Sequence, residues 1–168
     1  MILVCPFSRL HDIVAETGAR HIITLIDAGT PVARPRSIAA DDHLDLRMDD
    51  ILEPIPGLIH PSEEHVESLI RFLGRWNQEK PLVVHCWAGI SRSTAAAFVA
   101  ACALAPGRDE VEIAKALRAA SPTASPNGRI IALADRRLGR QGRMVEALSQ
   151  IGRGSIAYEA QPFRLTLR

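Results

Sequence analysis

Short apolar runs alternate along this chain with longer segments of helical period. Continuous apolar, β-branched runs at residues 2–5, 22–26 and 82–84 predict buried strands. Residues 43–48 alternate apolar and polar side chains, which predicts a half-buried strand. The stretch 49–61 holds three prolines and a glycine and is predicted to be a loop.

Helices are predicted between and after these strands, at residues 8–17, 62–77, 91–105, 109–120, 126–138 and 141–151. Ser8 and Ser62 are good N-cap residues, and Gly18 is a suitable helix end. Strands separated by helical crossovers predict an α/β fold, with a mostly parallel sheet of four to five strands and helices on both faces. We expect one domain over residues 1–153 and a C-terminal tail over 154–168.

Composition limits the classes of protein to which this chain can belong. At 168 residues and 47% apolar content the chain suits one globular domain. Its net charge of +1 is too small to produce an overall electrostatic field that would attract nucleic acid. The longest apolar run, residues 95–105, is too short for a membrane span. Cys5, Cys86 and Cys102 are an odd number without a CxxC pair, which indicates a reducing compartment; we expect a cytoplasmic protein.

Arginines are concentrated in the last third of the chain. The cluster of Arg136, Arg137, Arg140 and Arg143 is interpreted as a solvated helix face, with a patch that steers anions as the alternative. The histidines show no metal-ligand spacing, so neither a metal nor a cofactor is expected.

The segment His-Cys-Trp-Ala-Gly-Ile-Ser-Arg-Ser, residues 85–93, joins a predicted buried strand to a predicted helix. A loop of small residues at a helix N-terminus points backbone N–H groups inward, so the backbone of residues 87–91 (Trp87, Ala88, Gly89, Ile90 and Ser91) is predicted to cradle an anion. Arg92 adds a planar fork for two phosphate oxygens. The same positive surroundings favour the thiolate of Cys86, the nucleophilic form.

Neighbouring side chains are given supporting roles. Ser91 and Ser93 both carry hydroxyls that could donate to the Cys86 thiolate, and we favour Ser93 for that donation when the sulfur leaves. His85 is expected to hydrogen-bond and order the loop rather than to transfer protons. Trp87 either flanks the pocket mouth or packs against the core. Cys5 and Cys102 are interpreted as buried structural thiols, with a regulatory disulfide to Cys86 as the alternative for Cys5.

The HCWAGISRS segment resembles the signature loop of the protein tyrosine phosphatase superfamily, HCxxGxxR[ST], in the form found in dual-specificity phosphatases. The resemblance extends over residues 22–127. It implies a phosphomonoester hydrolase in which Cys86 is the nucleophile, Arg92 binds the phosphate, and an aspartate from a separate loop is general acid and then general base. Residues 1–153 would form this cysteine-dependent phosphatase domain.

The resemblance also suggests which aspartate is the general acid. Aligning residues 43–50 with the family pattern puts Asp50 at the acid position, with Asp49 as the alternative. Further on, the Ser-Pro-Asn segment at residues 125–127 resembles the family segment whose asparagine ties down the active-site loop, a role that Asn127 would take; an ordinary helix start is the alternative.

Several functions remain as alternatives. The expected substrate is a phosphorylated protein, with phosphotyrosine and phosphoserine or phosphothreonine both open, or a small phosphorylated metabolite. A non-catalytic phosphate-binding module is the alternative from another class, although such a module would often have lost Cys86 or Arg92. A sulfur-transfer or arsenate-reducing enzyme would also use a cysteine anion loop. No nucleic-acid or membrane partner is expected, and the oligomeric state is left open.

Overall fold

The computed structural model describes residues 1–167 and is built on a five-stranded sheet with the order β3-β2-β4-β1-β5. Its strands are β1 (Ile2–Pro6), β2 (His21–Ile26), β3 (His43–Arg47), β4 (Leu82–Cys86) and β5 (Phe163–Leu165). The first four strands run parallel and β5 is antiparallel to β1. The predicted α/β fold with a mostly parallel sheet is confirmed.

The described residues form six α-helices around the sheet: α1 (Leu10–Thr17), α2 (Glu63–Arg75), α3 (Arg92–Leu104), α4 (Glu110–Ala120), α5 (Gly128–Arg137) and α6 (Arg143–Ile151). Within residues 1–167, no helix combines the length and apolar character needed to cross a membrane.

The alternation of side chains along the buried strands supplies both faces of the sheet. On β4, Val84 and Cys86 face the larger core that includes residues of α2 to α6, whereas Val83 packs with Leu10 and Val14 on the α1 side. Because the central strands are covered on both faces, they are apolar almost throughout, as expected for parallel strands.

Local capping signals explain several helix ends. Ser62 caps α2, accepting a hydrogen bond from the His65 backbone N–H, and Gly18 ends α1 with φ +64°. The predicted cap at Ser8 was wrong. Residues Phe7–Arg9 form a 3₁₀ turn instead, so α1 begins at Leu10 without a side-chain cap.

The arginine cluster is not simply a solvated helix face. Arg140 is buried, and its Nη1 lies 2.9 Å from Oε1 of the buried Glu110 on α4. Arg143 Nε reaches the other carboxylate oxygen of Glu110 at 3.2 Å. Burial of Glu110 requires paired charge, so these two arginines join α4 to the segment around α6. Arg136 and Arg137 stay exposed and pair with acids of α2.

The C-terminal segment contributes a strand that was not predicted. Phe163 and Leu165 of β5 are buried against the sheet, opposite Val4 and Ile2 of β1. Before β5, the Ala160 N–H donates to the Ala88 carbonyl at 2.8 Å, so the segment also contacts the loop after β4.

We therefore predict that a chain truncated after Arg153 loses roughly 3 kcal/mol or more of unfolding free energy. Burial of two large apolar side chains and the pairing of β5 disappear together. Urea denaturation followed by circular dichroism measures this loss. Ile156→Ser is the matched control, because Ile156 lies in the same segment but is fully exposed. An unchanged midpoint for the truncated chain would contradict the prediction.

Candidate active site

The loop that follows β4 is placed by the sheet topology. β4 lies between β2 and β1, and all three run parallel, so their carboxyl ends meet at one edge of the sheet. The signature loop, residues 86–92, leaves β4 at this edge and enters the N-terminus of α3. Ligand sites of open parallel sheets lie at such an edge.

Carbonyl groups of the signature loop are held outward by neighbouring segments. The Trp87 carbonyl accepts from the Phe7 N–H at 3.0 Å, and the Ala88 carbonyl accepts from Ala160. The Ile90 and Ser91 carbonyls accept from the N–H groups of Ser125 and Asn127 at 2.9 and 3.3 Å.

A trans peptide directs its N–H opposite to its carbonyl. With the carbonyls of residues 87, 88, 90 and 91 turned outward, the N–H groups of residues 88, 89, 91 and 92 point towards the inside of the loop. Among residues 1–167, none accepts a hydrogen bond from these four N–H groups. Convergent N–H groups at a helix N-terminus form an anion cradle.

Gly89 allows the loop to close against β1. Its φ of +71° is unfavourable for residues with a side chain, and a Cβ there would lie 2.9 Å from the Pro6 nitrogen and 3.0 Å from the Cys5 carbonyl carbon. Because these contacts are backbone atoms, they cannot move aside as a side chain could.

Cys86 lies at the start of the loop and is 2% exposed. Its Sγ is 3.1 Å from Oγ of the buried Ser93, in the first turn of α3. The structure therefore brings together the predicted nucleophile and the hydroxyl predicted to stabilise it. Within residues 1–167 the other serine, Ser91, makes no hydrogen bond to the sulfur and donates instead to Asp50.

Arg92 is also buried, and one end of its guanidinium is fixed. Its Nη1 donates to the Met48 carbonyl at 2.7 Å, whereas its Nε has no hydrogen-bond partner within residues 1–167. A buried guanidinium nitrogen without a protein acceptor is costly, and a bound phosphate oxygen would satisfy it.

The two neighbouring aspartates have different surroundings. Asp49 accepts from the Ile59 N–H at 2.8 Å and so stabilises its own loop. Asp50 reaches the signature loop, where its Oδ1 accepts from Ser91 Oγ at 2.8 Å. Asn127 Nδ2 also donates to this Oδ1, and within residues 1–167 the other oxygen, Oδ2, accepts no hydrogen bond. Of the two aspartates, Asp50 is the one that is hydrogen-bonded to the signature loop.

Asn127 connects three parts of the site. Its Nδ2 donates to Asp50 Oδ1 at 2.8 Å, its backbone N–H donates to the Ser91 carbonyl, and its Oδ1 caps α5. Asn127 therefore caps α5 and also joins it to the signature loop, through its backbone N–H, and to Asp50, through its side chain.

His85 precedes the nucleophile and is fully buried. Its Nε2 lies 2.7 Å from Thr24 Oγ1, which also contacts His43 Nε2 at 2.8 Å. Burial lowers the pKa of His85 to about 4, so the imidazole is neutral at pH 7. This geometry fits an ordering role better than proton transfer.

One residue at the site was not predicted. Asp27 directly follows β2, and its Oδ2 accepts from Trp87 Nε1 at 2.8 Å. Burial raises the pKa of Asp27, but hydrogen bonds from Thr30 and Trp87 lower it more, and the net pKa is below its usual value. A carboxyl with a lowered pKa is a poor proton donor, so Asp27 is a weaker candidate acid. Asp27 lies near the end of β4 because it follows β2, which is the neighbour of β4 in the sheet.

Other reactive groups lie outside this arrangement. Cys5 is buried on β1, where burial raises its pKa to about 12, and Cys102 is buried in α3. Within the part of the chain that the structure describes, no three His, Cys, Asp or Glu side chains are grouped as a metal site.

A family model and several solved structures are similar to this chain, and those described here are phosphatases or phosphatase-like proteins. The family model described as protein-tyrosine phosphatase matches residues 58–122. The structure of DUSP15 is similar with a TM-score of 0.60 and 20% identity, covering 89% of each chain. The Yvh1 phosphatase domain from Chaetomium thermophilum has a TM-score of 0.66 and 18% identity, covering 85% of this chain and 93% of its own.

The resemblance to the protein tyrosine phosphatase superfamily is confirmed. A human tyrosine phosphatase-like serine/threonine/tyrosine-interacting protein is similar too, with a TM-score of 0.65 and 16% identity over 83% of this chain and 92% of its own. No curated protein matches the sequence. The fold is that of the dual-specificity phosphatases, and the sequence match to the protein-tyrosine phosphatases extends over residues 58–122, which is less than half of the chain.

Gly89→Ala is predicted to weaken binding of vanadate, a phosphate analogue, by roughly 10-fold or more, because the positive φ and the backbone of β1 oppose a Cβ. Isothermal titration calorimetry measures the affinity. Gly107→Ala is the matched control, since a Cβ there meets no atom within 4 Å. Equal affinities for the two variants would show that the close approach of Gly89 to β1 does not shape the anion cradle.

Proposed function

We propose that this protein hydrolyses phosphomonoesters through a phosphocysteine intermediate on Cys86. Arg92 binds the phosphate, Asp50 is the general acid and then the general base, and Ser93 stabilises the departing thiolate. The backbone of residues 87–91 completes the phosphate site, and His85 and Asn127 order it. The observation that carries the proposal is the set of inward N–H groups around Cys86, joined by the free Nε of the buried Arg92.

In the first step the Cys86 thiolate attacks phosphorus, and the bond from phosphorus to the ester oxygen breaks. The leaving oxygen takes the proton of Asp50, so an alcohol or phenol is released. Inward N–H groups and the Arg92 guanidinium bind the phosphoryl oxygens throughout. Their positions are fixed before substrate arrives, so little reorganisation opposes the charge of the transition state.

In the second step water attacks the phosphocysteine while Asp50, now a carboxylate, takes a proton from it. The S–P bond breaks, inorganic phosphate is formed, and Cys86 leaves as a thiolate. Ser93 Oγ, 3.1 Å from Sγ, is placed to donate a hydrogen bond to that thiolate. This donation lowers the cost of negative charge on a buried sulfur.

Asp50 is connected to the phosphate site from two directions. Ser91 belongs to the signature loop and Asn127 caps α5, yet both donate to the same oxygen of Asp50. Arg92 contacts the Met48 carbonyl two residues earlier. These bonds support a role for Asp50 because they hold the acid and the phosphate ligands in one network.

The proposed substrate is a phosphorylated protein or a small phosphoester, with phosphotyrosine or dual-specificity-like activity preferred. We also propose a cytoplasmic location. Support for it comes from Cys5, Cys86 and Cys102, which are all free thiols and suit a reducing compartment.

Asp50→Asn is predicted to lower kcat by roughly 10²-fold with phosphoserine, a poor leaving group, because the amide can neither donate nor accept the catalytic proton. With p-nitrophenyl phosphate, whose leaving group needs little protonation, the loss should be smaller. Steady-state phosphate release measures both rates.

Asp49→Asn is the matched control, since its amide oxygen can still accept from the Ile59 N–H. Its kcat should stay close to the wild-type value. If Asp49→Asn loses the activity and Asp50→Asn keeps it, the assignment of the acid is wrong by one residue.

A further inference from the structure

The turn after β2 carries a carboxylate that the proposed reaction does not use. Thr30 Oγ1 donates to the Asp27 carboxylate at 2.9 Å, and Trp87 Nε1 donates to its Oδ2 at 2.8 Å. Arg47 Nη1, at the end of β3, donates to the backbone carbonyls of Asp27 and Thr30 at 3.2 and 2.6 Å. Asp27 is therefore held in place from both its side chain and its backbone.

Trp87 is fixed on its other sides as well. Its ring is nearly perpendicular to that of Phe7, with centroids 5.5 Å apart, and Phe7 stacks on His85 at 5.8 Å. The Phe7 N–H also donates to the Trp87 carbonyl. Despite these contacts, Trp87 remains 50% exposed.

An exposed indole that is held in one orientation has the properties of a binding surface. Its apolar area is available to a ligand, and the entropy of ordering the side chain has already been lost in the free protein. Trp87 directly follows the predicted nucleophile Cys86, so this surface stands at the rim of the signature loop. A flat ring attached to a phosphate bound in the loop can pack against it.

We propose that Asp27 is a positioning residue that holds the Trp87 indole as an aromatic wall, and that this wall makes the site prefer aryl phosphates to alkyl phosphates. The inference rests on the proposed function, because it assumes that the signature loop binds the phosphate of the substrate. Trp87 is the residue that touches the leaving group, and Asp27 acts only through Trp87.

The test compares the binding of two non-hydrolysable probes, phenylphosphonate and methylphosphonate, by isothermal titration calorimetry. In Asp27→Ala the affinity for phenylphosphonate should fall roughly 3- to 10-fold, the size of an aromatic contact, and the affinity for methylphosphonate should change by less than about twofold. Asp27→Asn keeps an acceptor oxygen for Trp87 Nε1 and should restore the preference. Glu112→Ala, at an exposed carboxylate on α4, is the control and should leave the preference unchanged.

A double-mutant cycle separates positioning from general damage. Trp87→Phe keeps an aromatic ring but removes the N–H that Asp27 accepts from, so adding Asp27→Ala to it should cause no further loss of preference. Additive effects would overturn the proposal. An equal fall in the affinities for both probes in Asp27→Ala would also overturn it. So would an Asp27→Asn variant whose preference for phenylphosphonate is no larger than that of Asp27→Ala.

Turnover of p-nitrophenyl phosphate, phosphotyrosine and phosphoserine by the wild-type chain is measured separately, so the two hypotheses can fail independently. Absence of turnover together with an Asp27-dependent preference for phenylphosphonate would overturn the proposed function and support the aromatic wall. Turnover together with a preference that does not depend on Asp27 would support the proposed function and overturn the wall.

Discussion

The site depends on the orientation of a few peptide groups in the signature loop. A short loop of mostly small residues has many conformations of similar energy, and only some of them turn several N–H groups inward. Here Phe7, Ala160, Ser125 and Asn127 donate to carbonyls of the loop from outside. These donors come from three different parts of the chain. The anion cradle is therefore a property of the whole fold rather than of the HCWAGISRS segment alone.

This constraint explains why the segments around the site are coupled. The loop that carries Asp50 is bound to the signature loop through Ser91, to α5 through Asn127, and to the guanidinium of Arg92 through the Met48 carbonyl. Arg129 Nε also donates to the Pro61 carbonyl at 2.6 Å, which fixes the far end of the same loop. A loop rich in prolines and exposed side chains is thus held at both ends by partners distant in sequence.

Much of this arrangement could be predicted from the sequence because it depends on local patterns. Buried strands were recognised from apolar runs, and the start of α2 from its cap at Ser62. Cys86 ends a strand and Ser93 lies in the first turn of the next helix, so their pairing follows from the short loop of residues 87–91 between them. The resemblance to a known family added Asp50 and Asn127, whose contacts span 77 residues and leave no local pattern.

The features that were missed depend on tertiary contacts. β5 has only three residues, and its exposed middle residue Arg164 makes the segment resemble a polar tail. Asp27 reaches Trp87 because β2 and β4 are neighbours in the sheet, a relation that appears only when the strand order is known. Arg140 is buried because Glu110 lies opposite it, and composition alone could not distinguish it from its exposed neighbours.

The most direct test of the account is to look for phosphate on the sulfur. Rapid acid quenching of the enzyme during turnover of phosphotyrosine, followed by peptide mass spectrometry, should find a phosphoryl group on Cys86 and none on Cys5 or Cys102. The Cys86→Ser variant should show neither the adduct nor turnover. Turnover that persists in Cys86→Ser would contradict the central claim that this sulfur is the nucleophile.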